Sequence, residues 1–267
     1  MMSDFLVCNP TYFDVKYEIN PWMQTRNKPS KSRAKLQWSY MHDRLLESGA
    51  NLKYIDPQPD FPDMVFTANA GLVRGNTVIL SNFCHKERRG EKPYFKKWFL
   101  DNGYRVVEIP DDIYFEGAGD ALFIRDVLFL GYGFRTSIES HKIIANALDV
   151  EYVSCELIDP RFYHLDTCFF PHDQGILYYL DAFSEQTQRQ IVMEIIKLSI
   201  LDGGMTISPA RKKEAENFIC NSVLNGDSII TPHNDFDQSF LGYNIYNCNM
   251  SEFIKAGGAV KCLTLQL

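Results

Sequence analysis

Four stretches of this chain begin in the same way, and their spacing restricts the fold more than any other feature of the sequence. Asn69 opens NAGLVRGNTVIL, Asp120 opens DALFIRDVLFL, Asp166 opens DTCFFPHDQGILYY and Asn221 opens NSVLNGDSII. Each has an Asn or Asp, a large apolar residue three positions on, a tight turn and then a β run, at intervals of 46 to 55 residues. Repeats of that length predict stacked supersecondary units or propeller blades rather than a doubly wound sheet. Each unit would be a hairpin plus a helix and one more strand. The terminal runs FLVCNP and VKCLTLQL are placed to share a last unit and close a ring. In a closed ring the polar residue heading each hairpin faces the axis, which gathers Asn69, Asp120, Asp166 and Asn221 at one centre with Glu116 and His164 beside them. Hairpins also begin with Asn or Asp for reasons of turn chemistry alone, so the recurrence by itself leaves that simpler reading open.

The segments between the hairpins fit an α/β chain. Helical spacing runs from Lys35 to Ser48, with Gly49 placed as its C-cap, and again over 90–102, closed by Gly103. Further helices are predicted over 137–148, 184–200 and 250–255, and short β-rich runs lie between them. No low-complexity linker interrupts the alternation, so residues 1–267 are expected to form one domain. A content of 45% hydrophobic and 23% charged residues is that of a soluble globular protein. The net charge of −7 argues against a nucleic-acid or anionic-membrane surface and suits a cationic small molecule. The start, MMSDFLVCNP, lacks the pattern of a secretory signal, and no apolar run approaches the length of a membrane span. A cytoplasmic protein is expected, as a monomer or a homo-oligomer.

The stretch RFYHLDTCFF, residues 161–170, reads as a buried strand with a polar face. On a strand His164 and Asp166 would share that face about 7 Å apart, able to line one pocket but too far apart to bond each other. Seven cysteines occur, an odd number with scattered spacing and no CxxC pair, which indicates neither a disulfide framework nor a zinc cluster. No metal or cofactor is expected. One of the thiols is a candidate nucleophile. Cys262 follows a helix and the Gly257-Gly258 turn, where the backbone can approach a cleft. Cys168 would share the face of His164 but sit about 13 Å away along the strand. Cys84 has His85 beside it, on the opposite face of a strand, and the following KERR suggests a solvated segment. Glu116, in FEGAGD, is a carboxylate held by a glycine turn and suited to orienting a histidine. Arg88 and Arg135 are candidate forks for a substrate carboxylate.

Taken in order, INPWM (19–23), PDMVFTANAGLV (62–73), ERRGE (87–91), FEGAGDAL (115–122), FYHLDTCF (162–169) and GGAVKCLTL (257–265) resemble the guanidino-group-modifying superfamily. That superfamily contains arginine deiminases, amidinotransferases and dimethylarginine dimethylaminohydrolases. The resemblance implies a five-bladed α/β propeller, with Cys262 as nucleophile, His164 as proton shuttle and Glu116 pairing with His164 and the substrate. It also implies substrate contacts from Asn20, Asp63, Asn69, Arg88, Arg135 and Asp166.

Within the superfamily, the dimethylarginine enzymes typically carry a lysine where this chain has Asp166. Arginine deiminases carry an aspartate where it has Asn69, together with a helical insertion for which 267 residues leave no room. Asn20, Asn69, Asp166 and the short length resemble most the arginine dihydrolases, which convert arginine to ornithine, two ammonia and carbon dioxide. The alternatives are a deiminase stopping at citrulline, a dimethylarginine hydrolase, an amidinotransferase, and a non-catalytic propeller that serves as a binding module.

Overall fold

Five sheets of three strands surround one axis, and in each sheet an antiparallel pair is extended by a third strand parallel to the pair's second member. In the computed structural model the described residues are 3–232 and 242–267. The chain opens with β1 (Asp4–Cys8), helix α1 (Lys31–Glu47) and β2 (Asn51–Ile55). The next blade holds β3 (Gly71–Arg74), β4 (Thr77–Leu80), the short α2 (Lys86–Arg89), α3 (Lys92–Asp101) and β5 (Arg105–Val107). A third holds β6 (Ala121–Ile124), β7 (Val127–Tyr132), α4 (Glu139–Leu148) and β8 (Tyr152–Glu156). The fourth comprises β9 (Phe169–His172), β10 (Gly175–Tyr178), α5 (Glu185–Asp202) and β11 (Thr206–Pro209), followed by α6 (Lys212–Glu216). The last hairpin is β12 (Val223–Asn225) and β13 (Ser228–Thr231), joined by β14 (Asn244–Asn247) and followed by α7 (Ser251–Ile254) and β15 (Leu265–Gln266).

β15 returns to the first blade and pairs antiparallel with β1, Phe5 opposite Gln266, so the two ends of the chain complete one sheet. The five-bladed propeller expected from the resemblance, and the shared terminal unit expected from the repeat, are both present. Each hairpin is closed by a two-residue loop such as Gly75-Asn76 or Arg125-Asp126, the lengths that antiparallel strands favour. A parallel third strand needs a long crossover. α1, α3, α4 and α5 supply it in four blades, and α1 and α5 start from Ser30 and Ser184, whose side chains accept from Arg33 N–H and Thr187 N–H. The middle strand of each sheet is the most buried, and in β1 Leu6, Val7 and Cys8 are completely so. Among the described residues no helix is long and apolar enough to cross a membrane.

Two local expectations need correction. RFYHLDTCFF is not one strand: the backbone is extended at His164 (φ −126°, ψ 150°), turns through one 3-10 turn at Leu165–Thr167, and enters β9 at Phe169. The Asp120 carboxylate accepts the Leu165 N–H at 3.0 Å, and the Thr167 hydroxyl donates to His164 O at 2.6 Å. These side-chain partners replace the ladder bonds a strand would have needed. The charged run KERR is solvated only in part, with Lys86 and Arg89 exposed. It forms α2 and turns Arg88 inward, where the residue is buried.

Candidate active site

The residues that head the hairpins do converge. Asn69 ends in a 3-10 turn before β3, Asp120 immediately precedes β6, Asp166 lies in the turn before β9, and Asn221 precedes β12. All four are buried. Cys262 holds the corresponding place before β15, so the candidate nucleophile is the fifth member of the ring. That relation is hidden in the sequence because the fifth blade is split between the two ends of the chain.

A narrow cavity opens on one side of this ring. Asn20, Asp63, Asn69, Arg88, Arg135, His164 and Cys262 line it. Glu116 and Asp166 lie directly behind, the first against His164 and the second against Cys262. All nine candidate residues therefore meet at one place. Cys168 does not: its thiol is buried against Leu165 O at 3.5 Å, on the far side of the same turn. Cys84 touches the site only through its backbone N–H, which donates to Glu116 at 3.2 Å.

His164 is held from both sides. Its Nδ1 lies 2.9 Å from Asp120 Oδ2 and its Nε2 lies 3.2 Å from Glu116 Oε2. Burial would strip the imidazole of its charge, but Asp120 and then Glu116 overcome it and lift the pKa to about 9, so the ring is an imidazolium at neutral pH. Burial likewise opposes ionisation of Glu116, and Arg135 and His164 together hold that carboxylate well below its usual range. The glycines of FEGAGD allow this approach. A Cβ on Gly119 would lie 2.5 Å from Asn69 Nδ2, and Gly117 has φ +65° with no room beside Ala68 O.

Cys262 is clamped by Asn221, which donates from Nδ2 to the sulfur at 3.1 Å and accepts the Cys262 and Ala259 N–H groups at its Oδ1. Asp166 Oδ2 lies 3.3 Å from the same sulfur. Burial, and then the Asp166 charge, push the thiol well above its ordinary pKa, so it is protonated while the cavity holds no cation. Burial also raises Asp166, to about 6, against the opposing charges of Lys261 and His164.

The remaining candidates form the wall. Arg88 is tied to both Glu91 oxygens (2.9 and 2.8 Å), to Asn69 Oδ1 (2.8 Å) and to Asp63 O (3.0 Å). Arg135 donates to Glu116 at 3.0 Å and to Ile19 O at 2.9 Å, and lies over the Tyr163 ring. Both guanidiniums are thus engaged by the protein itself. Asn20 bridges Ala256 O and the N–H groups of Trp22 and Met23, fastening the 19–23 segment over the cavity. Asp63 accepts from the Tyr17 hydroxyl on one oxygen, while its other, buried oxygen has no partner among the described residues.

Sequence reasoning placed Asp120 and Asn221 at the centre but gave neither a role; it missed Tyr17, and a strand would have turned Tyr163 away from the pocket that it lines. Asp120 and Asn221 carried a signal in the repeat; nothing in their spacing distinguished a histidine partner from a thiol clamp.

The profile of eukaryotic N,N dimethylarginine dimethylhydrolases matches residues 9–267. The bifunctional arginine dihydrolase/ornithine cyclodeaminase AgrE of Nostoc is 47% identical over 98% of this chain, which spans 37% of that relative's length. The N(G),N(G)-dimethylarginine dimethylaminohydrolase of Mycobacterium tuberculosis is 34% identical, with 97% of this chain and 83% of that protein covered. Among solved structures, the N-terminal domain of ArgZ, a cyanobacterial arginine dihydrolase, in a cysteine-to-serine mutant bound to substrate, superposes with a TM-score of 0.88 at 45% identity, covering 99% of this chain and 97% of that one.

Proposed function

Because the chain belongs to the N,N-dimethylarginine dimethylhydrolase family, we propose that it hydrolyses the guanidinium group of free arginine, releasing ornithine, two ammonia and carbon dioxide. The observation that carries this reading is the arrangement around Cys262, a buried thiol against Asp166 in a cavity that His164 also lines, with Asn69 at the wall. The 47% identity to an arginine dihydrolase and the 0.88 superposition on another support it.

The electrostatics call for a cation. Asp166 and Asp63 are both raised by burial, and Asp63 has an oxygen without a donor among the described residues. A guanidinium between Asp166 and Glu116 supplies paired N–H donors to one end of the site, and the α-ammonium of an amino acid suits Asp63. The same positive charge stabilises the Cys262 thiolate, so ionisation of the thiol accompanies binding. The sulfur then attacks the guanidinium carbon, and the resulting tetrahedral adduct collapses as His164 passes a proton to departing ammonia. The neutral imidazole left behind takes a proton from water, which attacks the thiouronium and frees the thiol and citrulline. A second round on the ureido carbon consumes a second water and yields ornithine, ammonia and carbon dioxide.

Asn69 favours that second round. Its Oδ1 accepts from Arg88, and its Nδ2 donates to Glu116 O at 2.9 Å, so it brings no charge to the cavity. A neutral amide does not repel the oxygen of citrulline as a carboxylate would. Hydrolysis of dimethylarginine is the second reading, supported by the mycobacterial relative. Methylation removes N–H donors that the Asp166 and Glu116 carboxylates would accept, which favours the unmethylated substrate.

The test is to quench the protein during turnover of guanidino-labelled arginine and map the label by mass spectrometry. The label is expected on the peptide containing Cys262. Label on any other cysteine, or none under single-turnover conditions, overturns the mechanism.

A further inference from the structure

A second cavity is larger than the one described above. It is a funnel of about 690 Å³ on the opposite side of the ring, sharing no lining residue with the front cavity. The hairpin heads separate the two. Asn69 and His164 face forward, while Leu72, Leu122, Phe169 and Leu224, a few residues further along their chains, line the rear. Hairpin tips form its mouth, where Arg74 and Arg125 stand beside Asp126 and Asp173.

Its walls are largely apolar, and one cation stands among them. Lys261, next to Cys262 in the chain, lines the rear funnel while Cys262 lines the front cavity. Its backbone N–H donates to Asn221 O at 3.1 Å, which fixes the residue to the floor of the funnel. Among the described residues no carboxylate lies within ion-pair distance of its ammonium. Arg74, by contrast, is paired with Asp126 at 3.0 Å. Burial depresses the Lys261 pKa, with the charge of Asp166 beyond it working the other way. An ammonium with no carboxylate in contact in an apolar recess is poorly solvated, and an anion that brings its own apolar surface relieves that cost while covering the walls.

We propose that the rear funnel is a binding site for an amphipathic monocarboxylate, with Lys261 holding the carboxylate at the floor and the apolar body lying against Leu122, Phe169 and Leu224. The volume exceeds that of a chain of eight carbons, and with Arg74 at the mouth matched by Asp126, Lys261 is the group that meets the carboxylate. The site is separate from the front cavity, so its test does not depend on the reaction proposed there.

Octanoate is the probe, with 1-octanol as its neutral counterpart, both titrated calorimetrically into the full chain. One octanoate per chain is expected, undisturbed by saturating arginine. Lys261→Met should weaken octanoate about tenfold or more, an amount equal to about 1.4 kcal/mol, and leave octanol unchanged. Lys261→Arg should keep octanoate binding. Leu224→Trp, which fills the funnel from a half-buried position, should abolish both and provides an independent variant if Lys261→Met fails to fold. Absence of octanoate binding to the unaltered chain, equal binding by Lys261→Met, or displacement by arginine would each overturn the proposal.

Discussion

Replacing Asp120 with Asn tests the charge on which the proton shuttle depends. Asp120 Oδ2 faces His164 Nδ1 at 2.9 Å and accepts from the Thr136 hydroxyl at 2.7 Å, while Oδ1 accepts the Leu165 N–H. An amide keeps the shape, removes the charge and offers only one accepting oxygen for these three donors. A hydrogen bond to a charged partner contributes roughly 1.5–3 kcal/mol, so the proton affinity of His164 should fall by roughly one to two powers of ten. The rise of His164 from 6.5 to about 9 corresponds to roughly 3 kcal/mol of coupling to folding. Because the folded value lies above the unfolded one, that stabilisation is complete below about pH 6.5 and is lost as pH climbs through about 9. In Asp120→Asn that contribution should be smaller and its loss complete at lower pH, and the alkaline limb of the kcat profile should move the same way, since less imidazolium remains to protonate ammonia. Six histidines make a carbon-13 NMR titration tractable, with His164→Gln identifying the resonance. An unchanged His164 titration in the variant would refute the reasoning and leave Glu116 as the group that holds the proton.

Further outcomes follow from the same contacts. Cys262→Ser should abolish turnover with the fold intact by circular dichroism, whereas Cys168→Ser should retain most activity, because that thiol faces Leu165 O and not the cavity; the reverse pattern would identify the other thiol. Asn69→Asp places a carboxylate oxygen against Glu116 O, where Nδ2 now donates at 2.9 Å, and sets a negative charge near citrulline. Repulsion of the ureido oxygen by that charge should cost roughly 1–3 kcal/mol of citrulline binding, so chromatography of the products should show arginine consumed and citrulline released. Gly257→Ala forces φ +85° on a residue with a Cβ and sets that atom 2.7 Å from the Tyr163 hydroxyl; calorimetry should show Tm lowered by roughly 2–8 °C for a cost of about 1–2 kcal/mol.

The propeller could be read from Asn69, Asp120, Asp166 and Asn221 because each blade repeats one local problem, a polar residue turned to the axis followed by a hairpin that must be buried. The same repeat set Glu116 beside His164, whereas Cys262 joined them through the resemblance, since no spacing rule links that thiol to the carboxylate. RFYHLDTCFF was misread because its apolar alternation is that of a strand, and the partners that bend it, Asp120 and the Thr167 hydroxyl, act across space or within one turn. Arg88 illustrates the same limit. A run of four charged residues is ordinarily solvated, and Glu91, Asn69 and the Asp63 carbonyl, brought alongside by folding, make the burial of Arg88 favourable.

The central claim is that one site carries arginine past citrulline to ornithine. It is tested most directly by incubating the purified protein with arginine alone and measuring ornithine, citrulline and ammonia in the same samples over time. Ornithine should account for the arginine consumed, with two ammonia for each and citrulline never accumulating. Citrulline as the end product with one ammonia would make the protein a deiminase. Untouched arginine, with dimethylarginine consumed in its place, would contradict the account outright.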